Sequence, residues 1–138
     1  MRPLPAPEGD EAMLRILMIV SGWVEAAFGA SILTVPILVT RILLATEADA
    51  SAIALARILG AATLALGIAA LLTRNALATQ GGLAAAYGLA LYNVLAAPLI
   101  LWTAAMAGLG GAALWGAGLF HAATGALFVF ALMASPRN

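Results

Sequence analysis

Apolar residues fill four long stretches of this chain, and the polar positions gather at the breaks between them. The stretches are Ile16 to Thr40, Ile53 to Leu72, Leu83 to Ala107 and Ala112 to Ala134. Arg15 and Arg41 bound the first, and Thr73, Arg74 and Asn75 close the second. A polar turn around Thr79, Gln80 and Gly81 precedes the third, and a glycine-rich hinge at Gly108, Gly110 and Gly111 leads into the fourth. Each stretch exceeds the roughly 17 residues that a helix needs to cross a bilayer. Four such runs cannot close a barrel, and hydrocarbon tolerates no unpaired backbone, so each is expected to be a helix. The predicted fold is all-α, an integral membrane four-helix bundle running up-down-up-down. It has a polar N-terminal tail (1–15), a four-span domain (16–134; spans 16–40, 53–72, 83–107 and 112–134) and a short C-terminal tail (135–138).

Composition narrows the picture further. Of 138 residues, 64% are hydrophobic and 9% are charged, with a mean hydropathy of +1.09. An ordinary globular domain carries about a quarter charged residues, so this chain is expected in lipid. The net charge is zero and no basic cluster stands out, which leaves no surface for nucleic acid. Without cysteine there is no disulfide framework, no thiolate nucleophile and no thiolate metal site.

Orientation is read from arginine, because the chain has no lysine. Four crossings put Arg2, Arg15, Arg74 and Arg137 on one side, opposite Arg41 with Glu47 and Asp49. Both termini are therefore expected to be cytoplasmic, in a bacterial-type inner membrane. Trp102 and Trp115 flank the hinge where an aromatic belt would place them, and Tyr87 falls near the cytoplasmic end of its span. Thr46, Glu47, Ala48 and Asp49 have capping-box spacing for the second helix, and Ser135 with Pro136 is expected to end the fourth. A cleaved signal peptide is the competing reading of the first run; its length and the acidic residues Glu8, Asp10 and Glu11 oppose it.

A few residues break the apolar pattern. At about 1.5 Å per residue, Glu25 and Asn93 lie about 15 Å inside the cytoplasmic boundary and His121 about 20 Å, so all three fall near the midplane. Arg57 lies about one turn inside the other edge. At about 100° per residue, Ser21, Gly22, Gly29, Ile32 and Pro36 share the face of Glu25, and Ala117, Gly118, Thr124 and Gly125 share that of His121. Arg57 repeats the pattern with Gly60, Leu64 and Gly67. Faces lined by small residues mark close helix contacts, so these polar groups should point at protein. The candidate ligand-binding set is Glu25, Arg57, Tyr92, Asn93, His121 and Thr124.

Each of these residues also has a purely structural reading. Glu25 can be a protonated carboxyl bonded to a neighbouring helix, His121 a neutral ring donating to a backbone carbonyl or to Thr124, and Asn93 a bridge between helices. Arg57 can snorkel to water. Pro36 and Pro98 remove backbone donors to Ile32 and Val94, which either widens the bundle near the polar layer or simply kinks a helix. The segments Gly22 to Ala30 and Gly118 to Ala126 match at five of nine positions, with Glu25 and His121 at the same place. That echo fits either an inverted relationship of the kind seen in transporters or the shared Ala/Gly richness of the two helices.

Ala56-Arg57-Ile-Leu-Gly60, Leu64-Ala-Leu-Gly67, Tyr92-Asn93 and His121 together resemble small four-helix bacterial membrane proteins of uncharacterised function. The resemblance spans most of the chain; it implies the topology and no activity. Glu25 resembles the first-helix glutamate of small multidrug transporters, but the loop from Arg41 to Ala52 departs from that family's pattern.

Phosphate-cradling glycine loops, nucleophile elbows and His-Glu-x-x-His metal helices are absent. A single histidine excludes bis-histidine haem within one chain, and the His and carboxylate count is too low for a zinc or di-iron centre. No cofactor is indicated and no metal is expected. Three functions remain. The first is a binding or accessory subunit whose polar layer holds a lipid-like or quinone-like molecule or a partner helix. The second is an intramembrane enzyme using Glu25 and His121 as an acid–base pair, and the third is a proton-coupled carrier. The expected partners are the lipid bilayer, an apolar small molecule, and a second copy or a larger membrane complex.

Overall fold

The computed structural model describes residues 9–106 and 108–134. Arg2, Glu8, Ser135, Pro136 and Arg137 lie outside the described residues, as does the 135–138 tail. The described chain is helical: α1 (Gly9–Thr34), α2 (Pro36–Leu44), α3 (Ala50–Thr73), α4 (Gln80–Met106) and α5 (Ala112–Ala134). Four of these, all but α2, are long and apolar enough to cross a membrane. Their outward faces carry large apolar side chains such as Ile16, Leu72, Leu99, Phe130 and Met133, which suits contact with hydrocarbon.

The first apolar run is two helices rather than one. Proline has no N–H to offer the Ile32 carbonyl, and its ring pushes the preceding residue out of the helical region. Val35 accordingly sits at φ −130°, ψ 56°, and α2 restarts with Pro36 in its first turn. The chain before the run is helical too, since α1 begins at Gly9. Pro98 behaves differently: α4 continues through it, and the ring is exposed.

The helix expected from the second apolar run, α3, starts at a different cap. Asp49, not Thr46, is its N-cap, with Oδ1 accepting from the Ala52 N–H at 2.7 Å. Asp49 is the polar side chain immediately preceding the helical run, so it reaches the free N–H three residues on. Asp49→Ala is expected to cost about 1 kcal/mol in detergent unfolding, and an unchanged midpoint would argue against this cap.

The helices associate as two close pairs, α1 with α3 and α4 with α5, and the pairs meet less intimately along α1–α5 and α3–α4. Small residues make each pair close. Gly22 abuts Gly67 and Leu71, and Gly29 abuts Gly60 and Leu64. On the other pair, Gly118 meets Ile100 and Leu101, and Gly125 meets Asn93 and Val94. At one end of the bundle Leu14, Met18, Ala70, Ala86, Leu89, Ala90, Phe128, Ala131 and Leu132 form a closed apolar core.

The opposite end is assembled around α2. Ala45 takes a left-handed conformation (φ 53°) and ends α2. The Gly110 N–H, at a φ of 97° that only glycine adopts freely, donates to the Leu44 carbonyl at 2.9 Å. The hinge before α5 is thereby fastened to the end of α2.

Candidate functional site

Between the two helix pairs, on the α2 side of the core, lies a cavity of about 760 Å³. Its walls are apolar: Phe28 and Ile32 from α1, Leu43 and Leu44 from α2, Leu55 and Leu59 from α3, Ile100 from α4, and Leu114 and Phe120 from α5. Thr40 also lines it, but its hydroxyl is spent on the Pro36 and Ile37 carbonyls of its own helix. The remaining polar side chains in the lining are Glu25, Tyr92 and His121.

Those three side chains sit at the end of the cavity that faces the core. Along α1 the lining runs from Ile32 back to Glu25 and Val24, with core residues Met18 and Leu14 beyond. Along α5 it runs from Leu114 to His121, with Phe128 beyond, and along α4 from Ile100 to Tyr92, with Ala90 and Leu89 beyond. About two turns of helix separate Leu114 from His121, so the apolar part is about 10 Å long.

The polar end is a connected group. Asn93 Nδ2 donates to the Leu89 carbonyl at 2.8 Å, the i−4 bond open to a polar side chain within a helix. A carbonyl can only accept, so this bond fixes the amide and turns Oδ1 toward α5. His121 Nδ1 lies 2.8 Å from that oxygen and must therefore carry the hydrogen. In the neutral ring Nε2 is then left with a lone pair. Glu25 Oε1 approaches the same Nδ1 at 4.0 Å. The Tyr92 hydroxyl lies near the Glu25 carboxyl, and its ring meets His121 edge-on, with centroids 5.4 Å apart. Phe120 closes the other side, 5.7 Å from the imidazole and also edge-on.

Burial is nearly complete at the base: Asn93 is 0% exposed and Glu25 2%. Burial of this kind needs a partner for every polar atom, yet Glu25 Oε1 and Ser21 Oγ have none among the described residues. Ser21 lies one turn from Glu25 on the same face of α1. All three candidates expected at the midplane, Glu25, Asn93 and His121, are thus brought together with Tyr92.

The other two candidates stand apart. Thr124 is buried one turn from His121, but the ring bonds to Asn93 rather than to Thr124, because Oδ1 arrives from α4 with a fixed orientation. Arg57 is exposed and lines a separate depression with Arg41 and Glu47. Its neighbours Gly60 and Gly67 do pack on α1, but the long side chain reaches outward from the same stripe. Several wall residues were not singled out from sequence. Phe120 could have been noted as the neighbour of His121, and Thr40, Leu43 and Leu44 follow once Pro36 is read as a break.

The echo between α1 and α5 occupies equivalent places in the two pairs. Gly22 and Gly29 seat α1 on α3, Gly118 and Gly125 seat α5 on α4, and Glu25 faces His121 across the junction. Comparison with known proteins gives no match, whether among family models, curated proteins or solved structures.

Proposed function

We propose that this protein crosses a bacterial-type inner membrane four times, up-down-up-down with both termini cytoplasmic. In that setting it binds an apolar molecule bearing one polar head, as a binding or accessory subunit, in the manner expected from its resemblance to small four-helix bacterial membrane proteins. The observation that carries this reading is the cavity of about 760 Å³ with apolar walls and a polar end made by Glu25, Tyr92 and His121. Cavities of this size and composition are typical of small-molecule sites, where a few placed polar groups orient a mostly apolar ligand. A head seated against the polar end would leave its tail along Phe28, Ile32, Leu55, Leu59 and Leu114.

Native mass spectrometry after extraction in mild detergent tests this reading. The wild type is expected to carry one apolar molecule per chain. Ala117→Phe projects a ring into the cavity one turn before His121 and should leave the folded protein empty. Arg57→Gln, outside the cavity, should retain the molecule. A wild-type protein that emerges folded and empty, or an Ala117→Phe protein that keeps its cargo, would defeat the binding reading.

A further inference from the structure

The polar end of the cavity has a directionality that selects the chemistry of the head. His121 Nδ1 gives its hydrogen to Asn93 Oδ1 at 2.8 Å, and Asn93 is held in that orientation by its own bond to the Leu89 carbonyl. The ring nitrogen left for the cavity is Nε2, an acceptor. The Tyr92 hydroxyl lines the cavity near the Glu25 carboxyl, and a hydroxyl can both give and accept a hydrogen. Tyr92 therefore suits a head that does the same. Glu25 Oε1 is fully covered, turned toward Nδ1, and so lies beneath this surface rather than on it.

From this we propose that the head of the bound molecule is an uncharged hydroxyl, donated to His121 Nε2 beside Tyr92 Oη, so that the ligand is a long-chain or isoprenoid-type alcohol. The inference rests on the binding reading above and narrows it. A carbonyl or ether head brings no hydrogen to His121 Nε2. A carboxylate or phosphate head would bring negative charge beside Glu25, with no arginine among the residues lining the cavity. An ammonium head would supply hydrogens, but it would set a full charge among apolar walls, beside a carboxyl whose Oε1 is covered. A hydroxyl supplies the one hydrogen needed and no charge. Asn93 is the positioning residue: it does not line the cavity, and it acts by deciding which ring nitrogen is bare.

Two measurements test the proposal on the full chain in lipid nanodiscs. In the first, farnesol, its methyl ether, its aldehyde and farnesylamine are compared by titration. Farnesol should bind at least about tenfold more tightly than the ether or aldehyde, because each of these leaves a buried acceptor unfilled. Equal binding of alcohol, ether and aldehyde would overturn the hydroxyl head while leaving the binding cavity standing. Tighter binding of the amine would overturn the uncharged head. No binding by any of the four would remove the cavity reading and this inference together.

In the second, the chain is labelled with ¹⁵N-histidine, which reports on a single residue because His121 is the only histidine. The spectrum should show a protonated Nδ1 and a bare Nε2, and farnesol should move the Nε2 resonance. A protonated Nε2 with a bare Nδ1 would refute the assignment. Asn93→Leu should populate both tautomers and reduce the preference for alcohol over aldehyde, a change that loss of packing alone would not produce.

Discussion

Gly29→Ala should destabilise the protein by about 2 kcal/mol or more, measured by unfolding in mixed detergent micelles, because overpacking a close contact typically costs about 1–3 kcal/mol. A methyl group at Gly29 would meet the Leu64 amide nitrogen, lie 2.6 Å from the Gly60 carbonyl oxygen and 2.8 Å from the Leu64 Cα. All three are backbone atoms, so no rotamer change relieves the clash and α1 and α3 must move apart. Gly67→Ala meets the Ala26 nitrogen at 2.5 Å and the Gly22 oxygen at 2.6 Å, and should behave alike. Combining the two should cost less than their sum, since one separation of the helices accommodates both. Gly116→Ala is the control: a methyl there meets nothing within 4 Å, and the change removes a poor helix former. It should be neutral or slightly stabilising. Equal tolerance at Gly29 and Gly116 would mean that α1 and α3 do not approach as closely as described.

These contacts were legible in the sequence because they depend on period alone. The glycines of α1 fall on the face of Glu25 at helical spacing, and every residue predicted for that face, Ser21, Gly22, Gly29, Ile32 and Pro36, is buried. Apolar length likewise fixed the four long helices. Less legible was anything set by one local competition. The first run divides at Val35 because one missing N–H at Pro36 outweighs the continuity of the apolar pattern. Asp49 caps α3 because its side chain is better placed than that of Thr46. Arg57 shared the right stripe, yet a side chain this long can place its charge a full turn away from its own Cα, so period does not decide where the guanidinium ends.

The pairing at the site lay further out of reach. That Glu25, Asn93 and His121 fall at similar depth follows from counting residues. That Asn93 rather than Thr124 receives the imidazole depends on the register between α4 and α5, set where Gly118 and Gly125 seat against Ile100, Leu101 and Val94. The cavity itself depends on α2 folding over the junction of the two pairs, and hence on the break at Pro36. An apolar pattern tells which residues leave water, but not where they fail to fill the space between them.

The second large effect concerns the bond that joins α4 and α5 at this site. Asn93→Leu removes the acceptor of His121 Nδ1 and leaves a buried ring hydrogen unpaired, at an expected cost of about 1–3 kcal/mol. His121→Leu leaves Asn93 Oδ1 unpaired in the same way, although Nδ2 keeps its bond to Leu89. If the 2.8 Å contact is the shared cause, the double variant should cost less than the two single variants added together. Interhelical polar pairs in membrane proteins couple by about 0.6 kcal/mol on average and up to about 1.7, because the unfolded chain in lipid also finds partners. Here both groups are almost completely enclosed, so a coupling near the upper end, about 1.5 kcal/mol, is expected. The same cycle with Glu25→Gln in place of Asn93→Leu should show weaker coupling to His121, since Oε1 stands 4.0 Å from Nδ1 and has no hydrogen bond to lose. Strictly additive costs for Asn93 and His121, or stronger coupling of His121 to Glu25 than to Asn93, would mean that the imidazole is held from α1 and not from α4.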